Sequence, residues 1–155
     1  MINDLNERLT ESIEFVAFCL SKKAESKWAL ETDDVTGAID LFVKKLEASL
    51  PDLTTSVLDI NEYPDTTSIR SALNQAAIGS GERLLIINGL EDIDEKDLNV
   101  GLGDFVSSLG DKYSPNYPYT YEKSGLSLLI VVQSGSHNHF VRYYLTQAGG
   151  FGLLH

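Results

Sequence analysis

The chain has 155 residues, of which 43% are hydrophobic and 23% charged, and these values are typical of a soluble globular protein. They exclude disordered, collagen-like and coiled-coil chains and predict a single domain over residues 1–155. One cysteine, Cys19, excludes an internal disulfide framework and a multi-cysteine zinc site. The formal net charge of -11 disfavours direct nucleic-acid binding, because a phosphate backbone would be repelled.

The sequence also indicates where the protein works. Its first fifteen residues are polar and acidic, without the basic start and apolar run of a secretory signal peptide. The longest apolar runs, such as residues 128–132, are too short to span a bilayer. We therefore expect a cytoplasmic protein that does not bind a membrane.

Apolar periodicity predicts helices and strands in alternation. Leu5, Leu9 and Ile13, spaced four apart, predict a short amphipathic helix over residues 3–13. The apolar run at residues 15–20 (FVAFCL) has the length of a strand, and we interpret it as the first strand. The further predicted elements are a helix at 36–50, a strand at 55–60, a helix at 68–77, a strand at Arg83–Asn88, a helix at 96–109, a strand at Leu126–Gln133, a helix at 139–147 and a short last strand within 149–155.

Two of these strands indicate the fold class. Arg83–Asn88 and Leu126–Gln133 are apolar without alternation, as expected for strands that helices cover on both faces. The pattern predicts an α/β fold, a three-layer α/β/α arrangement with a mostly parallel sheet. Ligands of such folds bind at the carboxyl ends of the strands.

Segments at those predicted strand ends resemble motifs of P-loop NTPases. Residues 21–28 (SKKAESKW) share the spacing of the phosphate-binding loop GxxxxGK[ST], with Ser21 and Ser26 at the glycine positions and Lys27 at the lysine position. Residues 84–91 (LLIINGLE) resemble a Walker B motif.

In that second motif Asn88 replaces the metal-binding aspartate, and Glu91 keeps the place of the water-activating carboxylate. Ser134 falls where members of the AAA+ branch carry a polar sensor residue. The motifs occur in the family's order, and the resemblance implies a P-loop NTPase-like core over residues 15–147.

The departures from this pattern imply lost catalysis. Glycines let the loop backbone turn its N–H groups toward phosphates, and serines at both positions resist that geometry. Trp28 stands where a hydroxyl would bind Mg²⁺, and neutral Asn88 is a poor ligand for the same ion. Phosphoryl transfer needs both the ion and the cradle, so the resemblance implies a pseudo-ATPase without a cofactor. The alternatives are an NTP-binding or hydrolysing enzyme that uses Lys27 and Glu91 with ATP and magnesium, and a doubly wound domain in which Lys27 is a surface lysine.

Three further segments offer weaker candidates for a catalytic or metal-binding site. The stretch 21–30 (SKKAESKWAL) is also similar to the SKxxAxSxWxL segment of TIR domains, which would make Glu31 the catalytic glutamate of an NADase. His137 and His139 offer no third ligand and predict a helix start rather than a metal site. Cys19 lies in an apolar run and is interpreted as a buried small hydrophobe.

Three segments are candidates for contact with a protein partner. Carboxylates at 91–97, with Glu91, Asp92 and Asp94, either favour the positive end of a following helix or dock a basic partner. The loop at 113–121 and the apolar tail either pack onto the sheet or bind a partner, since tyrosine is frequent at interface hot spots. The residues concerned are Tyr113, Tyr117, Tyr119, Tyr121 and Phe151.

These observations favour a non-catalytic accessory or adaptor subunit of a larger multi-subunit machine. By analogy of fold, such a machine would be a DNA-processing or phage-defence assembly. The alternatives are the weak P-loop enzyme described above and an acidic inhibitor that mimics nucleic acid and blocks a DNA-binding protein.

Overall fold

A computed structural model describes residues 2–22, 27–63, 65–77, 81–91, 93, 96, 126–135 and 152–154 of the chain. The predicted helices at 96–109 and 139–147 and the loop at 113–125 lie outside these residues, apart from Lys96. The described elements, in chain order, are α1 (Ile2–Lys22), β1 (Lys27–Thr32), α2 (Val35–Ser49), β2 (Thr54–Asp59), a 3-10 turn (Ile60–Glu62), α3 (Thr66–Ala77), β3 (Arg83–Asn88), β4 (Leu126–Gln133) and β5 (Gly152–Leu154).

The strands form one parallel sheet in the order β2-β3-β4-β1-β5. β1 lies between β4 and β5, and its register with β4 runs from Lys27 beside Leu128 to Thr32 beside Gln133. β3 and β4 are buried along nearly their whole length. The predicted α/β class with a parallel sheet is therefore confirmed, and the carboxyl ends of all five strands meet at one edge.

The predicted first strand at residues 15–20 is wrong, because this segment belongs to helix α1. Its buried side chains continue the earlier helical stripe: Leu9 and Ile13 are followed by Val16 and Leu20 at spacings of three and four. The apolar run looked like a strand because Phe15 and Phe18 fill the gaps in that stripe. Both phenylalanines instead point away from the core, with 45% and 57% of their surface exposed.

The first strand is β1, which the sequence pattern did not predict. Its apolar centre, Trp28 to Leu30, is buried in the middle of the sheet. Lys27, Glu31 and Thr32 flank that centre, and they give the segment the composition of a polar loop. Strand alternation sends Trp28 and Leu30 to one face of the sheet and Ala29 to the other.

Helices pack on both faces of the sheet. α1 and α2 cover one face, where α2 contributes its buried stripe of Ala38, Ile39, Phe42 and Leu46. α3 packs on the opposite face through Ile69 and Leu73, against Leu85, Ile87 and Leu128 among others. Among the described residues, no helix is both long enough and apolar enough to cross a membrane.

Candidate functional site

The carboxyl edge of the sheet is where a parallel α/β fold binds ligands, and here its loops are acidic. The loop segments after β1 to β4 are residues 33–34, 59–65, 88–91 and 134–135, and they contain no lysine or arginine. Their acidic residues are Asp33, Asp34, Asp59, Glu62, Asp65 and Glu91. These four described segments therefore disfavour anionic ligands.

The junction of β1 and α2 is too short for a phosphate-binding loop. Only Asp33 and Asp34 separate the strand from the helix, whereas the motif GxxxxGK[ST] needs a longer glycine-rich loop in this position. Asp34 caps α2: its Oδ1 accepts a hydrogen bond of 3.0 Å from the Gly37 N–H. A Cβ at Gly37 would overlap the Asp34 carboxylate, so glycine permits this close approach. The donor that could bind a phosphate oxygen is thus already satisfied by the chain's own carboxylate.

The same arrangement recurs at the junction of β2 and α3. Asp65 Oδ1 accepts a hydrogen bond of 2.8 Å from the Ser68 N–H in the first turn of α3. Bonds from the Ser68 backbone and hydroxyl and from the Thr67 backbone lower the pKa of the Asp65 carboxyl. Both helices that follow described strands at this edge therefore begin at an aspartate.

Gln133, at the end of β4, joins three neighbouring strand ends. Its backbone N–H donates to Glu91 Oε1 at 2.5 Å, and its side-chain Nε2 donates to the Asp33 carbonyl at 3.0 Å. The Ser134 N–H donates to the Thr32 carbonyl at 2.9 Å and extends the pairing of β1 with β4. Glu91 therefore holds the β3 loop against β4.

The loops after β2 and β3 also touch. Gly89 has a positive φ of 81°, and a Cβ there would overlap Asp59 Oδ1 and lie 3.0 Å from the Asn61 nitrogen. Asp59 Oδ1 itself accepts a hydrogen bond of 3.0 Å from the Asn61 N–H. Beside this contact, Asn88 Oδ1 is buried and has no hydrogen-bond partner in the part of the chain that the structure describes.

The structure brings together only part of the predicted nucleotide site. Asn88, Glu91 and Ser134 lie at the carboxyl edge on the adjacent strands β3 and β4. Lys27 begins β1 and so lies at the opposite edge, about 16 Å along the strand from Thr32. Ser21 lies in the last turn of α1, where its hydroxyl donates to the Phe18 carbonyl. The segment with the P-loop spacing thus joins a helix to a strand, the reverse of the order that the motif requires.

The other predicted site residues lie outside the described residues. They are Ser26, Asp92, Asp94, Tyr113, Tyr117, Tyr119, Tyr121 and Phe151. Sequence reasoning missed Asp34, Asp65 and Gln133. An aspartate before an apolar helical stripe is the ordinary mark of an N-cap and could have identified the first two.

The cavities described beside α2 are small, and metal-ligating side chains do not cluster in the described ranges. Two surface cavities of about 220 and 230 Å³ lie beside α2, and both are smaller than the roughly 300–1,000 Å³ of ordinary ligand pockets. Among the same residues, no three histidine, cysteine, aspartate or glutamate side chains cluster closely enough to hold a metal ion. Comparisons with protein-family models and with functionally curated proteins find no match to this chain.

Proposed function

We propose that this protein is a non-catalytic accessory or adaptor subunit, an α/β domain with a decayed P-loop-like edge that binds another protein. The observation that carries the proposal is the Asp34 carboxylate on the Gly37 N–H. In a nucleotide-binding domain that helix N-terminus binds phosphate, and here it binds an internal anion.

Electrostatics at the carboxyl edge support the same conclusion. A nucleoside triphosphate is strongly anionic and needs backbone N–H groups, a lysine and a divalent cation around it. The edge instead places Asp33 and Asp34 beside the N-terminus of α2, and Asp59 and Glu91 on neighbouring loops. Lys27, the lysine of the motif-like segment, lies at the other end of β1.

We keep the pseudo-ATPase interpretation in this proposal but change the position assigned to the phosphate loop. Asn88, Glu91 and Ser134 keep the strand-end positions that suggested the Walker B and sensor motifs, and β4 lies between β1 and β3. The position of the phosphate loop then falls on the β1–α2 junction instead of residues 21–28. Two aspartates occupy that junction, which is a more complete loss of phosphate binding than the serine replacements predicted.

The proposed function of this domain is to bind another protein. The chain carries a net charge of -11, and α1 exposes two phenylalanines, Phe15 and Phe18. Exposed aromatic side chains beside charged residues are typical of protein interfaces. The loop at 113–121, the acidic turn at 91–97 and the tail with Phe151 remain proposed contacts with a larger machine.

Thermal unfolding with and without millimolar ATP and Mg²⁺ tests the non-catalytic part of the proposal. We expect no change in Tm. A ligand at 100 times its Kd would stabilise the fold by about 2.7 kcal/mol, which corresponds to roughly 5–10 °C for a chain of this size. A shift of that size would refute the proposal in favour of an NTP-binding enzyme, and its loss in Lys27→Ala would assign the nucleotide to the end of the sheet where β1 begins.

Salt dependence tests the protein-binding part. A tagged chain retained by its partner at about 1 M salt, and released by Tyr117→Ala, would support an apolar protein contact. Loss of the partner on raising salt alone would identify an acidic mimic of nucleic acid, because exposed charge pairs are screened.

A further inference from the structure

The outer face of α1, defined here by Glu7, Glu11, Glu14, Phe15 and Phe18, is exposed to solvent. At 100° per residue, Phe18 lies opposite the middle of the buried stripe formed by Leu9, Val16 and Leu20. A ring in that position cannot fold back onto the core of its own helix. Phe15 precedes Phe18 by three residues, about one helical turn, and side chains three residues apart on a helix are close to each other.

The two rings form one exposed apolar patch. With 57% and 45% of their surfaces exposed, they present together about 200 Å² of aromatic surface. Phenylalanine is among the residue types most often buried, so two of them exposed on adjacent turns are unusual. Val57, on the edge strand β2, is the third exposed large hydrophobic residue of the described structure, with 50% of its surface exposed.

The side of this patch toward the amino end of α1 is acidic. Glu11 and Glu14 precede Phe15 and Phe18 by four residues each, so each carboxylate lies one turn from a ring on the same helix face. Glu7 continues this row toward the amino end. An apolar centre with carboxylates along one side fits a partner whose apolar side chains are flanked by lysine or arginine.

On the basis that the chain is a protein-binding subunit, we propose that the outer face of α1 docks an amphipathic helix of a basic partner protein. Apolar side chains of that helix pack on Phe15 and Phe18, and its basic side chains pair with Glu7, Glu11 and Glu14. Two helices that pack side by side have their axes about 8–10 Å apart, so side chains of the docked helix can reach both rings and carboxylates. A second copy of this chain fits poorly, because self-association would bring together two molecules of net charge -11.

Binding of a labelled synthetic helix tests this surface directly. The probe is an amphipathic peptide of leucine and lysine about five turns long, and its counter-probe replaces lysine with glutamate. Measured by fluorescence anisotropy, the basic peptide should bind and the acidic one should not. Phe18→Ser should weaken binding about thirtyfold or more without changing the net charge.

Matched controls separate this contact from general charge attraction. Val57→Ser makes the same apolar-to-polar change elsewhere and should leave the Kd unchanged. Glu11→Gln with Glu14→Gln should weaken binding and flatten its salt dependence more than Glu62→Gln with Asp52→Asn, which removes equal charge elsewhere.

Three results would overturn the proposal. They are failure of the wild-type chain to bind the basic peptide, equal binding by a Phe15→Ser/Phe18→Ser variant, and a wild-type dimer in sedimentation that this variant loses. Stabilisation by ATP would refute the proposed function instead, and it would leave the peptide results unchanged. The two failures are therefore distinguishable.

Discussion

Among the glycines whose surroundings the structure describes, Gly89 tolerates a side chain least. Its φ of 81° lies in the left-handed region, and its Cα faces Asp59 in the neighbouring loop. Gly89→Ala therefore meets two obstacles. The backbone conformation costs an L-residue about 1–2 kcal/mol, and the new methyl group overlaps the Asp59 carboxylate and crowds Asn61.

The structure supplies a control that carries only the first obstacle. Gly81 has nearly the same φ, 79°, but no described atom lies within 4 Å of its would-be Cβ. Gly81→Ala should cost about 1 kcal/mol, because a smaller gain from the stiffer unfolded chain offsets part of the strain. Gly89→Ala should cost about 3 kcal/mol, because overpacking adds a further 1–3 kcal/mol.

Urea unfolding measures the difference. With an m value of about 2 kcal/mol/M, the midpoint should fall by about 1.5 M for Gly89→Ala and about 0.5 M for Gly81→Ala. Asp59→Ala combined with Gly89→Ala should cost at least 1 kcal/mol less than the sum of the single changes. Equal midpoints for the two glycine variants, or strict additivity with Asp59→Ala, would refute the close approach of the two loops.

Two further changes test the helix caps. Asp34→Ala removes the acceptor of the Gly37 N–H and should lower the free energy of unfolding, measured in urea, by about 1 kcal/mol. Asp34→Asn keeps an acceptor and should lower it much less. Equal losses in the two variants would show that the cap is not made. Asp65 has a folded-state pKa below the ordinary aspartate value of 3.8, so its carboxylate stabilises the fold above that pH and loses this effect as the pH falls through the folded pKa. Asp65→Asn should therefore lose less stability than the wild type between about pH 6 and pH 3, and parallel pH profiles would contradict the lowered pKa.

The strands of the sheet were predictable where burial is complete. β3 and β4 have the predicted bounds, because an unbroken apolar run of six to eight residues suits a strand covered on both faces. The bounds of α2, α3 and β2 differ from the predictions by at most two residues. The short strand in the tail is confirmed as β5.

The amino-terminal third could not be predicted from composition alone. Because Phe15 and Phe18 are apolar although they are exposed, the end of α1 had the sequence pattern of a strand. The polar residues at both ends of β1 gave that segment the composition of a loop. Because residues 15–20 were interpreted as a strand, residues 21–28 were expected at its carboxyl end. They instead lead into the start of β1, at the opposite edge of the sheet. Local apolar density gives no information on whether a side chain faces the core or solvent, and that orientation depends on contacts distant in sequence.

The position of β1 between β4 and β5 has a consequence for the time course of synthesis. Its strand partner β4 lies about 100 residues further along the chain, and β5 lies further still. At about 5–20 residues per second, a ribosome needs roughly 5–20 s to complete β4 after β1 has emerged. β2 and β3, about thirty residues apart, can pair first and then receive β4. β1 is thus the first strand to be translated but is among the last to pair. The backbone of Trp28 has no strand partner until most of the chain has been synthesised.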